Sequence, residues 1–372
     1  MLADSSSIQA SDAAHIDKLI ARGVDIEPVT PLYGSEDVIG TLELMIGVPY
    51  HRKHPVAPGI TVTFLDAGHV LGSAIVVLDI NDESQQTRIA FTGDLGHVRL
   101  PILRDPEVPT VVDCLITEST YGDRLHKPIE QMDDELAAIV KKVYDRGGKV
   151  VIPSFALERA QELVYAFKGL RESGRLPPMP IYVDSPLTVK ITDVFKLHPE
   201  CLDEEALELL QGRNSPFEFD DLHYISDKED SKAVSSSNEP SIVISASGMC
   251  EAGRILHHLK GSISSSKNAV LIVGYQAPHT LGRRLVERRS EVKIFGTMQP
   301  VHAEVHVLNG FSAHADQRDL VDYALEIRKR GELEHMILVH GDPVPMRVLS
   351  DLLGEKGFRN VHSPDRGDVI TV

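Results

Sequence analysis

Tryptophan is absent from the 372 residues, and cysteine occurs only at Cys114, Cys201 and Cys250. Three widely spaced thiols form neither a disulfide framework nor a Cys-based zinc ribbon, and they point to the reducing cytosol. No apolar run approaches the ~20 residues of a membrane helix. The start, MLADSSSIQASDAAHIDK, has no positive region leading into an apolar stretch, so neither a secretory signal nor a transit peptide is expected there. Basic residues are outnumbered, 38 Lys+Arg against 55 Asp+Glu, for a formal net charge of −17. That charge repels a polyanion at long range, so nucleic-acid binding would need a local basic groove or metal ions. With 9 Tyr and 10 Phe, stacking platforms are few, which argues against single-strand binding by aromatic ladders.

What is present is an ordinary globular composition, 42% apolar, at a length that favours two domains of unequal size. Short β-branched runs alternate with amphipathic segments. Thr61 to Phe64, Ala74 to Ile80, Arg88 to Thr92, Cys114 to Thr117, Lys149 to Pro153, Ile181 to Asp184, Ser241 to Ser245, Ala269 to Gly274 and Met336 to His340 read as strands. Several are continuously apolar, as strands covered on both faces are. Ile129, Met132, Leu136, Ile139, Val140 and Val143 recur at helical spacing and stop at Gly147-Gly148. A second helix is expected from Ala160 to Leu170 and a third from Leu320 to Arg330. The pattern predicts layered α/β architecture. The polar stretch DKEDSKAVSSSNEP, Asp227 to Pro240, reads as a surface loop.

Four segments place a titratable residue where a strand meets a glycine-containing turn: DAGHVLGSA at His69, FTGDLG at Asp94, TESTYG at Glu118 and LVHGD at His340. A fifth, GFSAHAD at His314, precedes a helix. Strand ends fix a side chain yet leave it facing a cleft, where ligands and catalytic groups are usually placed. Singly each motif is weak. In succession with IPSFALERAQEL, YVDSPL and ISASGMCEAGR, they resemble, over nearly the whole chain, the metallo-β-lactamase-fold nucleases that carry an inserted β-CASP domain.

The resemblance implies a split metallo-β-lactamase αββα sandwich, residues 1–121 and 312–372, interrupted by an α/β β-CASP domain at 122–311. It implies His69 and His340 as zinc ligands, Asp94 as the carboxylate bridging two zincs, and His314 as a proton donor oriented by Glu118. The activity implied is zinc-dependent hydrolysis of RNA phosphodiesters, endonucleolytic with exonucleolytic trimming as a second mode. A His at the position of His340 goes with the RNA-cleaving members, and hydrolysis of a small ester or lactam is disfavoured by the β-CASP motifs. One departure stands out: the family's His-x-His-x-Asp-His signature, expected upstream of GHVLGSA, does not occur in the sequence. The expectation is a chain that starts inside the family's first domain, with three of the usual ligands, fewer than two zincs normally need. The rival reading is a non-catalytic homologue acting as a scaffold or partner subunit, and association into a homodimer is a further expectation. HRKH, with His51 and His54, reads as a solvated loop, and His302 and His306 as alternating on one face of a strand. Ser247, Gly248 and Arg254 in SASGMCEAGR could cradle a phosphate or form only a tight turn. RRLVERR, Arg283 to Arg289, reads either as a phosphate-tracking patch or as a solvated face.

Overall fold

The computed structural model describes residues 1–82, 85–212, 215–308, 310 and 312–372, without the side chain of residue 130. The boundary residue Phe311, which opens the FSAHAD motif, lies outside the described residues. Residues 1–49 and 50–372 form two compact units. In the first, α1 (Leu2–Ile20) and α2 (Ser35–Leu44) are joined by an extended connection, which Gln9 Oε1 ties down by accepting the Leu32 N–H at 2.8 Å. The Asp37 carboxylate accepts the Gly34 N–H at 2.8 Å and so fixes the start of α2. Among the described residues, no helix is long and apolar enough to cross a membrane.

The second unit is built on two sheets. The first contains β1 (His54–Ala57), β2 (Ile60–Asp66), β3 (Ala74–Asn81), β4 (Gln86–Phe91), β5 (Cys114–Glu118), β14 (His335–Val339) and β15 (Val361–His362), in that spatial order. Neighbours from β1 to β4 run antiparallel; from β4 onward they run parallel. Between β5 and β14 the chain builds the second sheet, all parallel, in the order β13 (Glu304–Val307), β10 (Ala269–Ile272), β6 (Lys149–Pro153), β9 (Ser241–Ser245), β7 (Ile181–Asp184), β8 (Leu222–Ile225).

Alternation along the strands explains the layers of this second sheet. Val150 and Ile152 of β6 face a core completed by α3 (Ile129–Asp145), α4 (Arg159–Glu172) and α5 (Pro186–Leu197). Val151 faces the opposite core, with α8 (Ile255–Ser262), α9 (Leu281–Val286) and the hairpin strands β11 (Glu291–Ile294) and β12 (Thr297–Pro300) nearby in sequence. Leu136, Val140 and Val143, one stripe of α3, are fully buried, each stabilising by roughly 1.5–3 kcal/mol relative to exposure. In the first sheet, Val77, Ala90, Leu115 and Leu338 meet Leu320, Ala324 and Ile327 of α10 (Gln317–Arg330) and Leu349 and Leu353 of α11 (Pro343–Glu355).

Three expectations require correction. HRKH is not a loop throughout, since His54 opens β1 and pairs with Val62 of β2. The segment 227–240 is not a loop throughout: α7 (Lys228–Ser236) starts at Asp227, whose carboxylate accepts the N–H groups of Glu229 and Asp230, and it buries Ser231 and Val234. An N-cap aspartate and two inward residues suffice to order a helix that is polar elsewhere. His302 does not lie on a strand with His306, since β13 begins at Glu304 and the His302 N–H donates to the Ile263 carbonyl. The remaining helix, α6 (Glu204–Gln211), is capped by Asp203.

Gly68 and Gly96 hold the two turns that follow β2 and β4 against each other. A Cβ on Gly96 would sit 2.1 Å from the Gly68 carbonyl oxygen, and Gly68 has φ +63°. Gly96→Ala therefore forces backbone apart and is expected to cost about 1–3 kcal/mol or more, read as a lower denaturant midpoint at unchanged slope.

Candidate functional site

Three neighbouring parallel strands deliver their C-terminal ends to one place. Glu118 is the last residue of β5 and pairs in register with Val339 of β14, so His340 follows directly beside it. Asp94 follows β4, the other neighbour of β5, after the Gly93 turn. Carboxyl ends of parallel strands are where α/β sheets bind ligands. His69 comes from the turn after β2, where the Asp66 carboxylate accepts the Gly68 N–H at 2.9 Å and Ser73 Oγ accepts the His69 N–H at 3.1 Å. His314 lies on the strand-like segment before α10, bridged to Gly96, with the Ala315 N–H donating to the Leu95 carbonyl at 2.7 Å.

The Asp94 carboxylate stands between two imidazoles. Its Oδ2 is 3.7 Å from His69 Nε2 and its Oδ1 is 3.5 Å from His340 Nε2. Both separations exceed a hydrogen bond, yet each oxygen addresses a different nitrogen, as a carboxylate shared between two metal positions does. Burial, together with the charge of nearby His314, holds His69 down to about 4, so its imidazole is neutral and available as a ligand near pH 7. Its buried Nδ1 has no hydrogen-bond partner. Imidazole nitrogen and carboxylate oxygen are zinc donors, and these residues fit zinc in kind, though in fewer donors than the four of a closed site.

Beside this lies an acid pair. His314 Nδ1 is 3.1 and 3.0 Å from the two Glu118 oxygens, and the His69 and His314 rings are 4.4 Å apart. Glu118 is 0% exposed, and its Oε1 also accepts the Leu95 N–H at 2.6 Å. Burial opposes its ionisation, but the hydrogen bond and charge of His314 outweigh burial and hold its carboxyl below the usual range. Burial likewise disfavours the His314 imidazolium, and the Glu118 carboxylate reverses this, raising the imidazole above its ordinary value. With Nδ1 occupied, Nε2 is the nitrogen left to hold a proton, or a metal, since His69, Asp94 and His314 donors also cluster within metal-binding reach.

The other residues singled out from sequence are engaged with their own surroundings. Ser247, Gly248 and Arg254 occupy the turn between β9 and α8. Arg254 donates to buried Asp184 at 2.7 Å and to the Ser226 carbonyl at 2.7 Å, and Ser247 Oγ accepts the N–H groups of Glu251 and Ala252. His51 pairs with Glu107 at 2.8 Å, and His54 opens β1. In RRLVERR, Arg283 and Arg289 both pair with Glu287, and Arg284 donates to the His279 carbonyl, so the run is partly neutralised within itself. Sequence reasoning passed over Glu158, whose carboxylate accepts the Leu71 N–H at 3.1 Å and so braces the turn that carries His69. Fully buried beside Glu162, it is pushed well above the usual carboxyl range by burial. Its sequence signal was weak, because a glutamate ahead of a helix reads as a surface residue.

Residues 160–285 match the Beta-Casp domain, and residues 298–364 match the Zn-dependent metallo-hydrolase RNA specificity domain. Ribonuclease TTHA0252 of Thermus thermophilus is 37% identical over 328 residues, covering 88% of this chain and 73% of that protein. The chain belongs to the β-CASP metallo-β-lactamase ribonuclease family. An RNase J-like protein of Methanocaldococcus jannaschii is 32% identical over 84% of this β-CASP chain and 71% of its own length. Transcription termination factor FttA of Pyrococcus abyssi is 32% identical over 91% of the chain but 53% of its own length, so the chain spans about half of that relative. Membership of this family carries the metallo-β-lactamase fold with its inserted β-CASP domain.

The ion pair makes a pH prediction. His314 is raised and Glu118 lowered on folding, so the pair stabilises fully between roughly pH 4.3 and 6.5, the ordinary Glu and His values. The contribution falls as pH rises through the raised His314 value or drops through the lowered Glu118 value. In the metal-free chain, the NMR-detected His314 ring should titrate above 6.5, and Glu118→Gln should lower it, since burial then meets only the charge of Asp94 on the raising side.

Proposed function

We propose that this site hydrolyses RNA phosphodiesters with zinc, cutting within strands and trimming their ends. The observation that carries the reading is the Asp94 carboxylate set between His69 and His340, beside the His314–Glu118 pair. In this reading His69, Asp94 and His340 hold metal, which when bound supplies Lewis-acid stabilisation of phosphate charge and a lowered pKa for water. Glu118 anchors Nδ1 of His314 and keeps the ring charged, so that Nε2–H faces the leaving oxygen and donates its proton as the P–O bond breaks. The Leu95 N–H holds Glu118 still while the proton moves. Residues 1–121 and 312–372 would form the metallo-β-lactamase part and 122–311 the β-CASP insertion. Three buried free thiols agree with a cytosolic setting.

The names of the relatives support RNA as substrate, and the family description supports zinc as the metal. The donor count favours a second reading, a non-catalytic scaffold or partner subunit, for the 372 residues acting alone. Neither the three donors of His69, Asp94 and His314 nor the pair of Asp94 and His340 closes a tetrahedron, and affinity falls steeply with each ligand removed.

The two readings part in one experiment. The 372-residue chain alone should hold well under two zincs by elemental analysis and show no zinc-dependent RNA cleavage. Fusing ahead of Met1 a segment bearing His-x-His-x-Asp-His should raise zinc towards two and give cleavage that Asp94→Ala abolishes. A fused protein with two zincs and no cleavage would sink the hydrolase reading.

In that zinc-loaded form, His314→Ala should lower turnover by ~10²-fold or more with zinc content nearly unchanged. Equal loss of zinc would make His314 a ligand.

A further inference from the structure

Behind the segment that carries His314 lie two further histidines. His126 Nε2–H donates to the His314 carbonyl at 3.1 Å, and the His97 N–H donates to the Ala313 carbonyl at 2.9 Å. Their rings meet edge to face at 5.1 Å. Beyond them opens a cavity of about 340 Å³, lined by His97, His126, Arg99, Lys127 and Arg318. Among the described residues no carboxylate lines it, and neither the Arg99 nor the Arg318 guanidinium has an ion-pair partner. Lys127 pairs with Glu135 at 2.6 Å. The Asp105 carboxylate accepts the Arg99 main-chain N–H at 2.6 Å without pairing with its guanidinium, and in a chain of net charge −17 a pocket lined by two arginines that lack ion-pair partners among the described residues attracts an anion. The planar fork of arginine matches the oxygens of a phosphoryl group.

A bound cation is the competing reading, because His97, Asp316 and Asp319 also bring donor atoms together. Those carboxylates are already engaged. Asp316 Oδ1 accepts the N–H groups of Arg318 and Asp319 at 2.9 and 3.0 Å, and its Oδ2 accepts the His126 N–H at 3.0 Å. Asp319 Oδ2 accepts the Asp316 N–H and binds His97 Nδ1. They cap α10 and fix the imidazole, and a metal would have to break that cap. With Nδ1 held, Nε2 of His97 is the nitrogen left for a ligand.

We propose that this pocket binds a phosphoryl group, borne by the end of an RNA strand or by a free mononucleotide. Val98, Pro128 and Ile129 complete its walls and offer apolar surface to a ribose or base. The site needs no metal and stands independently of the hydrolase reading. Its occupant would lie one side chain, His126, from the candidate acid.

Isothermal titration of the 372-residue chain, with chelator and at low salt, tests this with inorganic phosphate, AMP, and an RNA oligonucleotide carrying either a terminal phosphate or only hydroxyl ends. Phosphate and AMP should bind. Arg99→Ala combined with Arg318→Ala, both exposed positions, should weaken binding at least tenfold, while Arg283→Ala with Arg284→Ala leaves it unchanged. Circular dichroism should show the variants folded. Tighter binding of phosphate-ended than hydroxyl-ended RNA supports the site and assigns it to strand ends; AMP binding as tightly as either supports it and assigns it to free nucleotide. Unchanged affinity in the Arg99/Arg318 variant, or no binding of any phosphate ligand, overturns the proposal. So does manganese binding lost on Asp319→Asn in the absence of phosphate binding, which would make this a cation site.

Discussion

A carboxylate with no solvent contact stays ionised only if its neighbours supply what water would have supplied. Glu118 meets that condition by drawing on two other stretches of chain, the Leu95 N–H in the turn after β4 and the His314 imidazole before α10. Three segments distant in sequence therefore converge on two oxygen atoms. Remove the charge and the turn carrying Asp94, the strand end leading towards Tyr121 and the segment carrying His314 lose their common anchor. Leaving buried donors unmet costs about 1–3 kcal/mol each, which makes Glu118 a structural hub as much as a participant in proton transfer.

Much of this was legible in the sequence because the parallel strands are covered on both faces and read as unbroken apolar runs. Lys149–Pro153, Ile181–Asp184 and Ser241–Ser245 have the same bounds in sequence and structure. The three expected helices are present as α3, α4 and α10. Elements whose order comes from tertiary contact were not legible. The polar α7 is held by one cap and two buried residues, and the strand expected around His302 and His306 starts only at Glu304, because the His302 N–H turns to the Ile263 carbonyl.

The candidate residues His69, Asp94, Glu118, His314 and His340 were visible because each sits at a strand end or turn with glycine nearby. Their partners were not. Glu158 looks like a surface residue until the Leu71 N–H points at it, and His97 and His126 look like two isolated histidines until the chain brings their rings together. Arg254 shows the same limit: a guanidinium after a glycine turn fits a phosphate or a tight turn alike, and only the fold shows its donors engaged with Asp184 and two carbonyls. Spacing along the chain reveals side chains that share an element, and says little about those that meet across elements.

The pairing of β5 with β14 also bears on how the molecule folds. Glu118 and Val339 are neighbours across a parallel ladder, yet the whole six-stranded sheet lies between them in the chain. Closing so long a loop carries an entropic cost before any contact offsets it. The intervening sheet, with its own two-sided core, brings the chain back from residue 122 to residue 312, as the Tyr121–Asp316 bridge shows. High contact order of this kind makes for slow folding, and the cleft depends on it directly, because the same ladder sets Glu118 beside His340.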